Sequence, residues 1–539
     1  MKQRLLLLVF AFCSVMTLNA QRYLTPQFTA VTKTTAIYGQ NFTVLTLSVT
    51  GHTLRQPLVC DIYTPTGDVT TAKRPLMIMI PTGNFLPKSV RRSPTGDRTD
   101  SVCVEMCTRF AKLGYVTASI DYRQGWNPIA SQQTDRIYGL INAAYRGIQD
   151  ARSAIRYFKV NSAALNIDTT KIMVIGEGTG GYIALGTAAF DKYSEILTTQ
   201  YPQGKFTISG AGGTVIPMVI EAFNGNINGS GPDAATISPQ GYPYPVGDTL
   251  HVPNWGDRNS SHALTVNMGG ALGDITWLDA VSTPLISIAA PHDLNAPYRD
   301  GVLGVPIGGG VTLPVVQVQG SYLCSLKADT LGINNAFKKL TAAYDPYKSL
   351  VAARNGIYAN SSPFTTGVTA SYASGLFPII GRNNNNDSAP YQWWSKDTTL
   401  ANNKFGLDSA SLAGNPGMSA EKARLYIDSI VTFILPRACV GLNLPCAGLV
   451  TSTEDLLNSN TTKLFASPNP SKTAVTFESE VFNPMQAIQL FDMAGRQVMQ
   501  VKVNSHNYTL QRNGLAPGLY VAKVKFEGGI LTKKIVFED

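Results

Sequence analysis

Charged residues are scarce in this chain. Asp, Glu, Lys and Arg make up 15% of its 539 residues, against about a quarter in typical soluble domains. The formal net charge of +9 is spread thinly, without a basic stripe or a basic–aromatic cluster. This pattern excludes a nucleic-acid partner and leaves, at most, an attraction to anionic surface glycans. Hydrophobic residues reach 44%, which is ample for a sizeable core and excludes disorder as the default.

Long apolar runs are also missing, apart from one at the start. Residues 5–18 form an apolar run that follows Lys2 and Arg4 and leads into Leu18-Asn19-Ala20, the arrangement of a signal peptide. A membrane anchor is the alternative, but the run is shorter than the roughly 20 residues that a spanning helix needs. We therefore expect a signal peptide over residues 1–20, a mature chain from Gln21 and no membrane-spanning segment.

Cysteine and histidine are infrequent, with seven and five residues respectively. Six cysteines follow the signal peptide, an even number that suggests disulfides in an exported protein, with 15 possible pairings. Cys439 and Cys446 bracket a short loop after a predicted helix and are the favoured pair. Cys103 and Cys107 have a metal-ligand spacing but no third ligand nearby, so we expect no metal site and no cofactor. The sequence leaves open the pairing of the other four: Cys60, Cys103, Cys107 and Cys324.

The mature chain divides into successive regions. Residues 21–58 read as short β segments with a turn at Tyr38-Gly39. Residues 59–350 alternate apolar strand runs with helical periods, which indicates an α/β fold. Residues 351–418, rich in Ser, Thr and Asn, indicate an irregular insertion or cap, and residues 420–435 return to a helical period.

The predicted fold is therefore an α/β domain over residues 21–446, with a mostly parallel sheet and helices on both faces. Its expected strands are 76–80, 115–122, 171–176 and 285–288, and its expected helices are 100–113, 141–160 and one that begins at Gly181. Polar residues 447–462 read as a linker. Short alternating runs separated by turn residues then predict a β-sandwich over residues 463–539.

The last module resembles the C-terminal sorting domain of type IX secretion cargo of the phylum Bacteroidetes. The matching motifs are Ser467-Pro468-Asn469-Pro470, the segment Asp492 to Arg496, and Leu515-Ala516-Pro517-Gly518-Leu519-Tyr520, followed by a Lys-rich strand. Three motifs in this order make the resemblance specific. It implies interaction with the type IX secretion machinery, passage through the outer membrane to the cell surface, removal of the domain and, commonly, attachment to surface lipopolysaccharide.

The middle of the chain resembles the α/β-hydrolase family, in particular carboxylesterase-like enzymes that carry the same sorting tail. The resemblance covers most of residues 22–350. Each motif is weak alone, but their order and spacing make the match strong. The motifs are Asp61-Ile62-Tyr63-Thr64-Pro65, Arg74-Pro75-Leu76, Phe110-Ala111-Lys112-Leu113-Gly114-Tyr115, Asp121-Tyr122-Arg123 and Asp150-Ala151-Arg152-Ser153-Ala154-Ile155-Arg156.

In such enzymes the nucleophile stands in a G-x-S-x-G turn between a strand and a helix. The corresponding stretch is Gly176-Glu177-Gly178-Thr179-Gly180-Gly181. The outer glycines are retained, but Gly178 stands at the nucleophile position and has no side chain to attack a carbonyl. Thr179 is the nearest hydroxyl and is one residue late, so its side chain leaves the turn in another direction. It is the weaker alternative nucleophile.

The rest of the catalytic machinery is incomplete in the same way. The oxyanion loop, His-Gly-Gly in the family, corresponds to Pro81-Thr82-Gly83-Asn84-Phe85, where proline replaces the histidine. The acid maps to Asp293, in a loop with the expected Pro-Tyr spacing. The base should follow the acid, but the only later histidine is His506 in the sorting domain. The nearest family-like stretch places Asp345 where the base would stand.

The histidines before Asp293 give no evident base. They are His52, His251, His262 and His292. His251 or His262 would need a rebuilt geometry, and each is better read as a surface or capping residue. A general base needs a group that titrates near neutrality within hydrogen-bond reach, and the sequence predicts none.

Two hypotheses stay open. In the first, the chain is a pseudo-hydrolase that serves in binding, adhesion or surface-coat assembly, with glycans, lipopolysaccharide or other surface proteins as partners. Tyr391, Trp393 and Trp394 are then a candidate contact surface, although packing under an insertion explains them equally well. In the second, the chain is an active esterase or peptidase that uses Thr179 or a serine of residues 351–418.

Overall fold

A computed structural model describes most of the chain from residue 22 onward. The described stretches are 22–91, 93–231, 248–293, 295–308, 311–340, 347–351, 373–379, 387–395, 414–446, 464–479, 484–493, 495–526 and 529–539, with a few isolated positions between them. The predicted signal peptide and the predicted linker lie outside the described residues.

The main unit is built on an eight-stranded sheet. Its strands are β1 Val31–Thr43, β2 Leu54–Pro65, β3 Arg74–Ile80, β4 Val116–Ile120, β5 Ile167–Glu177, β6 Leu264–Met268, β7 Leu285–Ala289 and β8 Leu376–Pro378.

The strand order is β1-β2-β4-β3-β5-β6-β7-β8. β2 pairs antiparallel with β1 and with β4, whereas every pair from β4 to β8 is parallel. This confirms the predicted mostly parallel sheet. The central strands are continuous apolar runs, as expected for strands covered on both faces. In such a sheet, ligand sites form at the carboxyl ends of the parallel strands.

Helices cover both faces of this sheet, as predicted. The longer ones are α1 Ser101–Lys112, α2 Gln133–Val160, α3 Thr179–Ala189, α4 Ser321–Thr330 and α5 Ala420–Gly441. α2, α3 and α4 share one buried core with Leu76, Ile78 and Ile80. α1 and α5 share the other with Met77 and Met79. Alternate residues of β3 therefore point into different cores, which is why this strand is apolar throughout.

Shorter elements complete the main unit. The helical ones are Leu47–Thr50, Lys88–Arg91, Tyr193–Ile196, Ala211–Gly213, Glu221–Asn224, Ile275–Trp277 and Asn335–Lys338. Thr207–Ser209 pairs with Val215–Pro217, and Ala234–Ala235 pairs with Thr249–His251. A hairpin of Asp300–Gly308 and Val311–Gly320 pairs with Ala271–Leu272.

Helix α2 begins eight residues before its predicted start, because tertiary contacts stabilise a first part that the apolar period did not mark. The Nε2 atom of Gln133 donates to the carbonyl of Val315 at 2.8 Å, and the Nε atom of Arg136 donates to the carbonyl of Pro314 at 3.0 Å. These bonds also hold the hairpin of residues 300–320 against α2.

Two expectations about the chain path are corrected. The predicted turn at Tyr38-Gly39 is instead a bulge within β1, where the pairing with β2 shifts register. Tyr38 is fully buried there, and its hydroxyl donates to the carbonyl of Asp121. The region 351–418 is not wholly an irregular insertion, because β8 lies within it and pairs with β7. A strand of three residues is too short to give a periodic signal in sequence.

The C-terminal unit spans Val450–Asp539, and the main unit spans Met1–Leu449. The strands of the C-terminal unit are β9 Leu464–Ser467, β10 Ala474–Ser479, β11 Met485–Phe491, β12 Gln497–Ser505, β13 Asn507–Gln511, β14 Gly518–Phe526 and β15 Gly529–Phe537. They form two antiparallel sheets, β9-β10-β13 and β12-β11-β14-β15. Side chains of both sheets share one apolar core, so the predicted two-sheet module is confirmed.

The predicted disulfide between Cys439 and Cys446 is present, with Cα atoms 6.0 Å apart. Cys439 lies at the end of α5 and Cys446 in the loop that follows. The other cysteines of the mature chain are buried and unpaired within the described residues: Cys60, Cys103, Cys107 and Cys324. The bond therefore fixes the end of the main unit just before the predicted linker.

Removing this disulfide should destabilise the main unit. We expect a Cys439→Ser/Cys446→Ser variant to lose about 2–3 kcal/mol of unfolding free energy, the entropy of closing so short a loop. Urea unfolding of the oxidised wild type and the variant measures the difference. Reduced wild type is the control and should match the variant. Equal stability of the oxidised wild type and the variant would contradict a stabilising bond.

The C-terminal unit should be separable from the rest. Because it has its own core, a chain that ends near Asn460 should fold, yet accumulate in the periplasm. Residues 447–539 fused to an unrelated periplasmic reporter should carry that reporter to the cell surface. Protease treatment of intact cells distinguishes the two locations. A truncated chain that still reaches the surface would show that the unit is not the export signal.

Candidate functional site

The sharp turn predicted at Gly178 is present at the carboxyl end of β5. β5 ends at Glu177, α3 begins at Thr179, and Gly178 between them has φ 53° and ψ −115°. Side-chain-bearing residues adopt such a conformation only at a cost of about 1–3 kcal/mol. The backbone N–H of Gly178 donates to the carbonyl of Met268 at 2.7 Å, which ties the turn to the end of β6.

The flanking glycines are required by close backbone packing. A Cβ atom on Gly176 would lie 1.8 Å from the carbonyl oxygen of Gly180. A Cβ atom on Gly180 would lie 2.1 Å from the carbonyl oxygen of Ile80. Any side chain at either position would therefore push α3 away from β5 and β3. The retained glycines preserve the turn even though the nucleophile is absent.

Thr82 occupies the space beside Gly178. A Cβ atom on Gly178 would lie 2.3 Å from the Oγ1 atom of Thr82 and 3.0 Å from its Cβ atom. Thr82 belongs to the loop after β3, the stretch that corresponds to the oxyanion loop. A serine at position 178 would therefore meet both an unfavourable backbone conformation and a steric clash. The side chain of Thr82 therefore lies where a side chain at position 178 would have to be placed.

Thr179, the alternative nucleophile, contacts the same loop. Its Oγ1 atom accepts a hydrogen bond of 2.6 Å from the backbone N–H of Asn84, and its side chain is almost buried. Backbone donors of this kind stabilise the developing oxyanion in esterases. Here the donor of Asn84 is bound by Thr179, so it is not free for a substrate oxygen.

The acid position is retained. Asp293 follows β7, and its Oδ1 atom accepts a 2.7 Å hydrogen bond from the backbone N–H of Asn295. Its Oδ2 atom would be 3.5 Å from a Cβ atom on Gly269, at the end of β6. Burial raises the pKa of Asp293 to about 7, against hydrogen bonds from the backbone and from Ser388 that lower it. A carboxyl group of this kind is balanced between two protonation states at neutral pH.

The structure does not place Asp345 with Gly178 and Asp293. Asp345 precedes β8, and its Oδ2 atom forms a buried 2.6 Å ion pair with the Nη2 atom of Arg437 on α5. The expectation that Asp345 stands at the base position is thereby corrected. The chain that follows β8 reaches the site instead, because Ser388, Tyr391 and Gln392 line the same cavity as Gly178.

None of the five histidines lies among the described residues that line this cavity. His52 is exposed and pairs with Asp248 at 3.0 Å. Burial and nearby arginines lower the pKa of His251 to about 3, and burial with Arg152 and Lys159 does the same for His262. The turn and the acid are therefore brought together without a histidine base.

Glu177 is a site residue that sequence reasoning missed. It is fully buried beside Gly178, and burial together with the charge of Asp100 raises its pKa to about 8. Its Oε1 atom accepts a hydrogen bond from the amide of Gln392, whereas its Oε2 atom has no hydrogen-bond partner within the described part of the chain. The sequence did contain a signal for this residue, because Glu177 is a carboxylate that directly follows an apolar strand run.

These groups line a cavity of about 840 Å³. Its walls are mostly apolar and come from the loop after β3, α2, α3 and the hairpin of residues 300–320. Tyr391 and Trp394 are largely buried and line it, whereas Trp393 lies against the guanidinium of Arg424 at 5.5 Å. The aromatic residues therefore split between the cavity wall and packing, and do not form one exposed surface.

Comparisons with known proteins agree with this architecture. Residues 60–210 match the model of the BD-FAE family, and residues 466–538 match the secretion system C-terminal sorting domain. The main unit has the fold class of an α/β-hydrolase, a mostly parallel sheet with helices on both faces, and its residues 60–210 carry the family match. The chain therefore joins an esterase-like domain to a type IX sorting domain, and the sorting domain directs it through the outer membrane to the cell surface or the extracellular space.

Solved esterases resemble part of the hydrolase domain. Thermogutta terrifontis esterase 2 phosphorylated by paraoxon is 16% identical, over 49% of this chain and 73% of that chain, with a TM-score of 0.27. Brefeldin A esterase, a bacterial homologue of human hormone-sensitive lipase, is 17% identical over 31% of this chain and 37% of that chain, with a TM-score of 0.21. No curated protein sequence matches the chain. Among the described residues of the hydrolase and sorting domains, no helix is long and apolar enough to cross a membrane.

Gly178→Ser should destabilise the hydrolase domain without creating an esterase. The clash with Thr82 adds an overpacking cost of about 1–3 kcal/mol, and the new serine still lacks a histidine base. Gly51→Ser is a control for a serine at a positive φ, 73°, with nothing near the missing Cβ. Its ψ of 1° differs from −115° at Gly178, so Thr82→Ala is the variant that isolates the clash.

Urea unfolding should show a larger loss of stability for Gly178→Ser than for Gly51→Ser, and Thr82→Ala should restore part of it. Nitrophenyl ester hydrolysis should stay at the parent level in every variant. Equal stability of the two serine variants, or ester turnover well above the parent, would contradict this description of the turn.

Proposed function

We propose that this protein is a cell-surface pseudo-hydrolase that uses the cavity of an inactive α/β-hydrolase domain to bind a ligand. The observation that carries the proposal is the position of Thr82, whose Oγ1 atom lies 2.3 Å from where a Cβ atom on Gly178 would be. The nucleophile is absent, and its space is filled.

The chemistry of acyl transfer supports the same conclusion. It needs an activated nucleophile, a base within hydrogen-bond reach and free donors for the oxyanion. Gly178 supplies no nucleophile, and no histidine lines the described cavity. One of the backbone donors, the N–H of Asn84, is bound by Thr179. The nucleophile, the histidine base and a free oxyanion donor are thus all lacking at one place in the described site, while the acid and the fold are retained.

The retained cavity favours binding over a purely structural role. About 840 Å³ lies within the usual range of small-molecule sites, roughly 300–1,000 Å³. Mostly apolar walls with a few polar groups at one end are also typical of such sites.

The location outside the outer membrane indicates which ligands the protein can encounter. We infer that the protein serves in binding, adhesion or surface-coat assembly on a bacterium of the Bacteroidetes, where its partners are glycans, lipopolysaccharide or other surface proteins. The thinly spread charge of +9 favours contact with anionic surface polymers.

A second candidate is an active hydrolase with displaced machinery. The observation in its favour is that Thr179 and Asp293 line the same cavity, and that burial raises the pKa of Asp293 to about 7, a value suited to a general base. Most serines of residues 351–418 lie outside the described residues, although Ser388 lines the cavity.

Covalent labelling distinguishes the two candidates. The purified protein should not react with a fluorophosphonate probe, because no hydroxyl group is activated as a nucleophile. Thr179→Val is the matched variant, since it removes the hydroxyl and keeps the shape of the side chain. Labelling of the wild type that disappears in Thr179→Val would reject the pseudo-hydrolase proposal and assign the nucleophile.

A further inference from the structure

The acidic end of the cavity is electrostatically unbalanced. The charged side chains among its described lining residues are Arg91, Glu177 and Asp293, one cation and two carboxyl groups. Burial and the charge of Asp100 raise the pKa of Glu177, and the charge of Arg91 acts against them. The Nη2 atom of Arg91 also donates to the carbonyl of Thr95 at 3.3 Å. No lysine or histidine lines this part of the cavity within the described chain.

Asp293 occupies the position of the catalytic acid, but no histidine that this acid could stabilise lines the cavity within the described residues. In a serine hydrolase, the acid stabilises the imidazolium that forms when the histidine takes a proton. Here Gly178 and Asp293 both line the cavity without a histidine between them. A cation that enters the cavity can therefore reach the carboxylate that an imidazolium would otherwise bind.

Glu177 gives a second and independent indication. Its side chain is fully buried, and its Oε2 atom has no partner within the described residues. Leaving a buried acceptor without a donor costs about 1–3 kcal/mol. Tyr391 lies beside both carboxyl groups, and the charges of Glu177 and Asp293 raise its pKa in addition to the effect of burial. Its hydroxyl and the Oδ2 atom of Asp293 both face Gly269.

The residues that line the cavity walls indicate the chemistry of the ligand's remaining, uncharged part. Aromatic side chains of Trp126, Tyr182, Tyr391 and Trp394 line the cavity together with aliphatic residues of α2 and of the hairpin 300–320. Aromatic faces attract cations as well as apolar groups. Once the two carboxyl groups are ionised, they repel an anion, whereas a neutral hydroxyl group would satisfy their hydrogen bonds but not balance their charge.

We propose that the cavity binds an organic ammonium ion, with its N–H groups on Asp293 and Glu177 and its apolar part against the aromatic and aliphatic walls. This inference rests on the proposed binding function and names its ligand class. It explains why this cavity keeps two buried carboxyl groups that form no ion pair with another described residue.

We expect ammonium binding to depend on pH, and the pKa values of the two carboxyl groups in the free protein give the direction of that dependence. Burial raises the pKa of Asp293 to about 7 and that of Glu177 to about 8, so both groups are largely protonated in mildly acid solution. An ammonium ion binds the ionised carboxylates, and it therefore releases protons near neutrality and binds more tightly as the pH rises. The ligand amine stays charged up to about pH 10. The charged or titratable groups that face this end from neighbouring elements are Arg91, Asp100, Cys103, Tyr122, Tyr182 and Tyr391.

Calorimetry with three matched probes tests the proposal on the purified protein. The probes are 2-phenylethylammonium, 2-phenylethanol and 3-phenylpropionate, which present a cation, a neutral hydroxyl and an anion on the same apolar body. At about pH 8, the ammonium should bind about tenfold more tightly than the alcohol, and the anion should bind least. The binding enthalpy should vary with the ionisation enthalpy of the buffer, because protons are released.

Asp293→Asn keeps the shape of the side chain and removes its charge. It should weaken ammonium binding by about 10- to 100-fold and leave alcohol binding unchanged. Asp257→Asn is the control, because Asp257 is exposed, pairs with Arg258 and does not line the cavity. Thermal unfolding confirms that each variant is folded.

Three outcomes would overturn the proposal. They are no binding of the ammonium, equal or tighter binding of the alcohol or the anion, and ammonium binding that is unchanged in Asp293→Asn. Fluorophosphonate labelling is a separate measurement, so a missing ammonium site with no labelling rejects this inference alone. Labelling of the wild type would reject the underlying pseudo-hydrolase proposal.

Discussion

The functional end of the hydrolase domain depends on the close contact between β5, the turn at Gly178 and α3. Gly176 and Gly180 allow backbone approaches that no side chain permits, since their missing Cβ atoms would lie 1.8 and 2.1 Å from carbonyl oxygens. This contact brings the start of α3 against the loop after β3. In an esterase the same approach creates a nucleophile facing backbone donors. Here it places Thr82 beside Gly178 and lets Thr179 bind the N–H of Asn84, so two threonine side chains lie where an esterase presents its nucleophile and a free backbone donor.

Buried ionisable side chains have different partners inside and outside this cavity. Arg123 and Asp150 form a fully buried 2.8 Å ion pair, and Arg437 pairs with Asp345. Breaking such a pair by removing one partner is strongly destabilising. Among the described residues, Glu177 and Asp293 form no ion pair of this kind, and burial raises the pKa of each. The cavity is thus where the domain holds carboxyl groups that titrate near neutrality, which is a common property of functional sites.

Much of the fold could be predicted from sequence because the central strands and helices carry strong apolar periods. β3, β5, α1 and α5 lie where those periods indicated. β8 was missed because three residues give no period, and missing it hid the segment of residues 387–395 that reaches the site. Missing β8 also explains the prediction that Asp345 stands at the base position, which rested on a short motif. Asp345 precedes β8, and the chain reaches the neighbourhood of Gly178 only after β8.

The site itself was only partly predictable. Gly178 and Asp293 followed from motif order, because their positions are tied to strand ends. Glu177 and Gln392 were not recognised as site residues, and Thr82 was placed only in the stretch that corresponds to the oxyanion loop, since their roles depend on distances between segments far apart in sequence. The filling of the space beside Gly178 by Thr82 in particular has no signature in sequence, where Thr82 is one more hydroxyl in a turn.

The central claim is that the hydrolase domain retains its cavity but has lost its chemistry. Steady-state hydrolysis of 4-nitrophenyl acetate by the purified protein tests it most directly, with Thr82→Val and Thr179→Val measured beside the wild type. The account predicts a rate that rises linearly with ester concentration, matches that of unfolded protein and is the same in both variants. Saturable turnover that either substitution abolishes would contradict it.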